Sequence, residues 1–435
     1  MNTSKNQNTD TELTLGFCPR SLILFTQFAL IAKRNKEYQS KMKKNNSMKP
    51  IITIILILSF ALNLGAQESS KEIKTRPFQI TFVTPLGTNG LDAWNITNNF
   101  SINLYAGYNG GLDGVELSGF GGMLKNNMKG TQIAGFGNIV MGTGNGFQAA
   151  GFFNYSHQYF QGAQIAGFAN VINSDTKAWQ FSGFSNVATG NSDAAQFSGF
   201  ANYSKGNSVG QISGFSNVNS GNLKGFQIAG FSNVNTDSLK GIQIAGFSNY
   251  TKTLNGIQIA PFNYVDSLEK GMPFGLFSIV KNGYRAFEIS VSETLFGTVS
   301  FKTGTTKFYN IVSVGASYKN DQILWGWGYG IGTMFAMKND WNMTVELLSY
   351  QINVDEWFTE VLNLNNKLQI TTSKKVAKNL HVFGGITWNV NVSDIEDHDG
   401  NVFKSTVSPW NVFDKTYNNE TNVKMYPGFT AGIRF

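Results

Sequence analysis

The chain has one cysteine, Cys18, in 435 residues, so no internal disulfide can form. Phe17 precedes it where a lipoprotein cleavage site needs a small residue, which argues against lipid anchoring through that thiol. Histidine is nearly as scarce: His157, His381 and His398 are the only three. There is no H-E-x-x-H or G-x-S-x-G motif, and no cysteine to pair with a base. Charged residues make up only 14% of the chain, less than a soluble cytosolic enzyme usually carries. These shortages predict a non-enzymatic protein with no catalytic residue, metal site or cofactor.

The formal net charge of +7 is unevenly placed. Residues 1–66 hold nine Lys or Arg against three acids, and the remainder holds 25 basic and 24 acidic residues. A near-neutral remainder carries no electrostatic footprint for nucleic acid, so that class of partner is excluded.

The basic segment reads as an export address. Lys41, Lys43, Lys44 and Lys49 precede the apolar run Ile51 to Leu64, which ends in Gly65-Ala66-Gln67. That order is the charged lead, apolar core and small-residue cleavage pattern of a signal peptide, placed at 48–66 with the cut after Ala66. Leu64 is large for its position three before the cut. The run is too short to favour a permanent membrane span. Residues 1–47 read as an extension ahead of a true start at Met42 or Met48, although the apolar stretch Leu22 to Ala32 leaves a second signal or anchor open.

Glycine (47) and phenylalanine (36) are abundant, and they are arranged periodically. Gly-Phe recurs at 119, 135, 151, 167, 183, 199, 214, 230 and 246, and Pro261-Phe262 closes the series. Gln stands three residues before each later Gly or its Pro substitute, from Gln132 to Gln258, and Asn usually three after, from Asn138 to Asn249. The first unit departs, with Glu116 for Gln and Gly122 for Asn, as terminal units of a stacked array do. A period of sixteen suits one coil of a β-solenoid, in which equivalent residues stack about 4.8 Å apart in aromatic and amide ladders. The competing arrangement makes each unit one antiparallel strand of a large barrel pore, with the repeats as barrel strands. Connections of nearly equal length favour the solenoid, because barrel loops alternate between short and long.

Beyond the array, period-two alternation predicts long strands at 285–292, 296–303, 307–318, 323–337, 341–353, 366–374, 378–392 and 427–435. Ile323, Trp325, Trp327, Tyr329 and Ile331 share one face of the fourth, opposite Gly326, Gly328 and Gly330. In the last strand Phe429, Ala431, Ile433 and Phe435 oppose Thr430, Gly432 and Arg434. Those nine terminal residues resemble the final strand of bacterial outer-membrane β-barrel proteins. The resemblance implies two partners: outer-membrane lipid, and the barrel-assembly machinery that reads the terminal strand. A soluble sheet or sandwich is the plainer alternative. The tandem G-h-Q-h-A/S-G-F-x-N units, over about 150 residues, resemble bacterial surface repeat proteins of the Bacteroidota and spirochaete type, which implies a surface location and no reaction.

The expected fold is thus all-β: a tandem sixteen-residue repeat, with a β-solenoid favoured, plus an antiparallel membrane β-barrel of about 8–12 strands. Its divisions are 67–110 (strands at 77–84 and 99–107, joining the barrel or capping the solenoid), 111–265 (array) and 266–435 (barrel). The expected role is a barrel-anchored array for display, adhesion or envelope structure in the outer membrane or at the cell surface, with the surface ligand open.

Other features have plain readings. Gly326-x-Gly328-x-Gly330 lies within a strand and lacks the Lys-Ser/Thr of a phosphate loop. Asp394, Glu396, Asp397, His398 and Asp399 before Gly400 could hold a hard cation, but their spacing matches no defined metal loop, and a solvated loop is the favoured reading. Trp357, Phe358 and Val361 are spaced as one or two helical turns, fitting a plug, an interfacial anchor or simple loop packing.

Overall fold

The computed structural model describes residues 74–319, 321–355, 357–358, 361–394, 405, 407–418 and 420–435. Residues 1–47 with Cys18, the segment 48–66 expected to be a signal peptide, and Glu396 to Gly400 lie outside the described residues. What is described is all-β: a parallel β-solenoid of about 12 turns followed by an antiparallel sheet of 9 strands.

Each coil is built from two strands and two bends. In one, Phe160–Ala166 is followed by a bend at Gly167-Phe168, a short strand Ala169–Ile172, and a polar turn into Thr176–Ser182 of the next coil. Pairing is parallel and in register with the next coil, Gln164 with Gln180 and Asn170 with Asn186. Because the repeat strands pair in parallel with equivalents one unit away, they do not form the wall of a large antiparallel pore. That alternative is corrected, and the cause is the Gly-Phe bend, which turns the chain between two strands inside every unit.

The coil interior is unusual in its polarity. Gln132, Gln148, Gln164, Gln180 and Gln196 are fully buried, and so are Asn138, Asn154, Asn170 and Asn186. Each Gln Nε2 donates to the Oε1 of the Gln one coil earlier, as Gln148 does to Gln132 at 2.8 Å and Gln227 to Gln211 at 2.7 Å. Each Asn Nδ2 donates in the opposite direction, Asn154 to Asn170 and Asn170 to Asn186, both at 2.9 Å. The same Asn nitrogen also reaches a backbone carbonyl of the next coil, Asn170 to Phe181 at 2.7 Å. Buried amides are tolerable only when satisfied, and here each one satisfies its neighbour. Running the two ladders in opposite directions also lets their dipoles cancel. The remaining interior columns are mixed: Leu223, Leu239 and Leu254 stand in line with the buried Thr176, Ser192 and Ser208, and Val265 and Val280 with Ser204, Asn219, Asn235 and Thr251.

The N-terminal division at 110/111 coincides with the start of the first coil strand, Gly111–Ser118, and only the C-terminal division moves. Lys74–Val83 and Ile96–Asn109 pair in parallel with each other, and the second pairs with the first repeat coil, so they cap the solenoid and add nothing to the barrel. At the other end the parallel pairing continues past 265, through Phe262–Phe274 and Phe277–Val280, and the barrel begins at Tyr284. The array runs past 265 although Gly-Phe stops before it, because the interior columns carry on, Leu254 to the half-buried Leu268 and Val265 to Val280.

The second sheet closes on itself. Tyr284–Ser292 pairs with both Gly297–Gly304 and the final strand Thr421–Arg434, joining first strand to last. Eight strands form the ring: those three with Tyr309–Lys319, Gln322–Ala336, Trp341–Val354, Asn363–Ala377 and Leu380–Asp394. The ninth, Phe413–Tyr417, pairs only with the final strand, beyond the segment that meets the first. The closing seam runs to the last residue, where Phe435 and Phe287 exchange two backbone hydrogen bonds of 2.8 and 3.1 Å.

Candidate functional site

Two features stand out: an aromatic ridge on the solenoid and a polar interior in the barrel. The ridge is the Phe after each bend glycine. From Phe120 to Phe247 these nine rings stack one coil above another with centroids 4.7–5.0 Å apart and planes within 6° of parallel. They face outward, each 38–45% exposed. Beside them runs a second exposed apolar column that includes Ile133, Ile165, Phe181, Ile228, Ile244 and Ile259. Lys129, Lys177, Lys205, Lys224 and Lys240 occupy the opposite edge, at and just after the polar turns. In cross-section the solenoid is therefore amphipathic, with a continuous exposed apolar strip of the kind that marks an interaction surface.

The irregular first unit heads the Gln ladder. Glu116, fully buried, accepts from Gln132 Nε2 at 2.8 Å and Asn109 Nδ2 at 2.6 Å. Gly122 is its companion, because a Cβ there would stand 2.3 Å from Glu116 Oε1. All the ladder N–H groups point toward this carboxylate, which satisfies the donor end of the row. At the other end Gln258 Oε1 is buried with no donor among the described residues.

Burial raises the Glu116 pKa, and the hydrogen bonds from Gln132 and Asn109 only partly oppose it. A folded-state value above the unfolded one, about 4.3, means the native state holds the proton more tightly. Stability from this group is then fully present below the unfolded pKa and is lost as pH rises through the folded value. We expect a component of urea stability, read by circular dichroism, to fall from pH 4 toward neutrality, and Glu116→Gln to flatten it. An unchanged pH slope in that variant would refute the assignment.

Inside the barrel, Lys302 Nζ lies 2.7 Å from Glu288 and 2.6 Å from Glu346, while Arg434 Nε bonds Glu288 at 2.9 Å. Tyr309 and Gln369 donate to the two oxygens of Glu346. Two cations and two anions cancel here, all nearly devoid of solvent contact. Nearer the other end, Glu293 accepts from Asn389, Thr387 and the Phe429 backbone N–H, with Lys367 at 3.5 Å. Leu295, from the same connection, is buried with Tyr350, Ile352 and Val407. Side chains therefore fill the interior, as eight-stranded rings require. The outer wall is the reverse, with Phe287, Ile289, Val314, Trp327, Leu347, Ile370, Ile386 and Phe429 exposed.

The residues singled out in the sequence are scattered. Gly326, Gly328 and Gly330 face inward within Gln322–Ala336, and a Cβ on Gly328 would meet the Tyr350 ring at 2.6 Å. Asp394 ends a strand and accepts from the Leu362 N–H at 3.4 Å. His157 Nδ1 lies 3.1 Å from the Tyr155 hydroxyl at a solenoid turn, whereas His381 belongs to Leu380–Asp394 in the barrel. Trp357 and Phe358 are not helical but pack on Trp325, with centroids 6.2 and 5.3 Å away. Among the described residues no group of three or more His, Cys, Asp or Glu is placed to hold a metal.

The fold defines a β-solenoid joined to a closed eight-stranded antiparallel barrel. The chain matches no protein-family model, no curated protein and no solved structure.

Proposed function

We propose that this is an exported, non-enzymatic protein whose C-terminal barrel spans the outer membrane of a Gram-negative-type bacterium and anchors the solenoid as an element of envelope structure. The observation that carries this reading is the inverted polarity of the barrel: ion pairs inside, Phe, Ile, Leu and Trp outside. In water that arrangement exposes an unfavourable apolar belt, whereas in hydrocarbon it is the required one. The signal peptide at 48–66 and the resemblance of the repeats to bacterial surface proteins support the same reading. Outer-membrane lipid and, through the strand ending at Phe435, the assembly machinery are the implied partners. Connections 305–308, 337–340 and 378–379 at the end holding the termini are all short, whereas the other end carries two short ones, 293–296 and 320–321, and the two long ones, 355–362 and 395–412. Barrels of this class turn their short connections to the periplasm. The solenoid leaves from that end, which favours envelope structure over display or adhesion outside the cell.

Density-gradient fractionation of cells tests the proposal. The protein should band with the outer membrane and resist extraction by salt and alkali, and the purified barrel should conduct almost no current in a planar bilayer. Recovery in a soluble fraction would end this reading.

A further inference from the structure

The end of the solenoid meets the side of the barrel. In Phe277–Val280, the last solenoid strand, the Ser278 N–H donates to Asn310 Oδ1 at 3.0 Å, and its carbonyl accepts from Thr303 Oγ1 at 3.1 Å. Asn310 and Thr303 occupy outward positions on their strands, since Tyr309, Ile311 and Lys302 beside them are interior residues. Backbone groups that elsewhere bond to the next coil, along the solenoid axis, here bond to the barrel's outer wall. The axis at that end is thus directed into the wall, across the barrel rather than along it.

The contact also fixes which edge of the solenoid points where. Phe277 stacks on Phe262 at 5.7 Å and packs edge-on against Tyr329 at 6.2 Å. Tyr329 is an outward residue of the apolar wall, flanked on its face by Trp327 and Ile331. Phe274 lies lower, against Phe308 in the 305–308 turn, at 4.4 Å. The aromatic edge therefore runs into the apolar belt, on the belt side of the turn.

We propose that the solenoid lies along the membrane leaflet at the barrel's short-turn end, with its Phe ridge inserted among the lipid chains and its lysine-bearing turns in water. This rests on the barrel being a membrane anchor, and it adds a partner for the array itself: a lipid surface. Three observations converge. The ridge is exposed over nine coils, it leads to the barrel wall through Phe262, which is 5.1 Å from Phe247 but tilted by 51° and one register position on, then Phe277 and Tyr329, and the charged side chains lie on the opposite edge. Lysines share that edge with Asp113, Asp175, Asp193 and Asp237, so it is charged without being strongly cationic. An element with one apolar edge and one charged edge lies in the interfacial plane for the same reason as an amphipathic helix.

The test uses the full chain in phosphatidylcholine vesicles with brominated acyl chains, in a Cys18→Ser background. Single cysteines are introduced as Phe200→Cys on the ridge, Lys205→Cys on the polar edge and Ile386→Cys on the barrel wall, each carrying an environment-sensitive fluorophore. Phe215→Cys provides a second ridge position. We expect strong loss of fluorescence at 386 and at both ridge sites, and little at 205. Quenching at 386 with none at 200 and 215 would overturn the inference and leave the anchor intact. No quenching at 386 would sink the membrane anchor itself, and the inference with it.

Discussion

Gly167→Val should break the solenoid. A Cβ at residue 167 would stand 2.1 Å from the Gly151 carbonyl oxygen, one coil below, and the same approach recurs at Gly135, Gly183, Gly199, Gly214, Gly230 and Gly246. The coil cannot lift to make room. Gly167, Phe168 and Ala169 all donate backbone hydrogen bonds to the coil below, at 3.2, 2.8 and 3.0 Å, and these bonds set the strand spacing. Relief requires losing several of them together with the adjoining Gln164 and Asn170 amide bonds. We expect a cost above about 4 kcal/mol, in the class of substitutions that override a domain's margin. In a one-dimensional array such a break separates the coils on either side. Phe168→Ala removes two exposed ring stacks, each worth roughly 0.5–1.5 kcal/mol, and should do much less. Urea unfolding followed by circular dichroism discriminates: a Gly167→Val chain that unfolds at the wild-type midpoint contradicts the close-approach argument.

The repeat was legible in the sequence because stacking imposes identity: a residue that bonds to its own equivalent above and below must recur at every level. That is why Gln, Asn, Gly and Phe kept step, while the preference for the parallel solenoid over the pore came from connections of nearly equal length. The direction each column faces was not legible. The usual preference for apolar interiors would bury Phe and expose Gln and Asn, and the structure does the opposite. The bend at Gly167 sets Phe168 on the outer corner of a narrow coil, while Gln164 and Asn170 face inward, where the ladders satisfy them. Glu116 and Gly122 were visible as departures, but their mutual fit depends on the fold, which brings residue 122 against the Glu116 carboxylate. In the barrel, alternation located seven of the eight ring strands to within three residues at each end, because the face in contact with the interior repeats every second residue, and it missed only the first six residues of the last, Thr421–Arg434. It could not reveal the charge cluster, whose members at 288, 302, 346 and 434 are brought together only by strand register and ring closure.

Lys302→Met should loosen the barrel for a reason that hydrophobicity alone would reverse. Methionine is apolar and similar in length, so a core argument would favour it. Lys302, however, is the only amine within bonding distance of both Glu288 and Glu346 among the described residues, and its removal leaves two buried carboxylates facing one guanidinium. Arg434 reaches Glu288 but forms no such bond to Glu346, whose remaining partners are the neutral Tyr309 and Gln369. Stripping one partner from a buried ionic group typically costs about 3–5 kcal/mol, since the orphaned charge keeps its desolvation penalty. Heated gel mobility of the detergent-folded protein reads this directly, and the temperature at which the compact form disappears should fall well below wild type. Lys302→Met combined with Glu346→Gln removes one charge of each sign, restores balance with the Glu288–Arg434 pair, and should recover much of the loss. If the single variant melts with the wild type, or the double variant is worse than the single, the four charges are not the unit that this geometry defines.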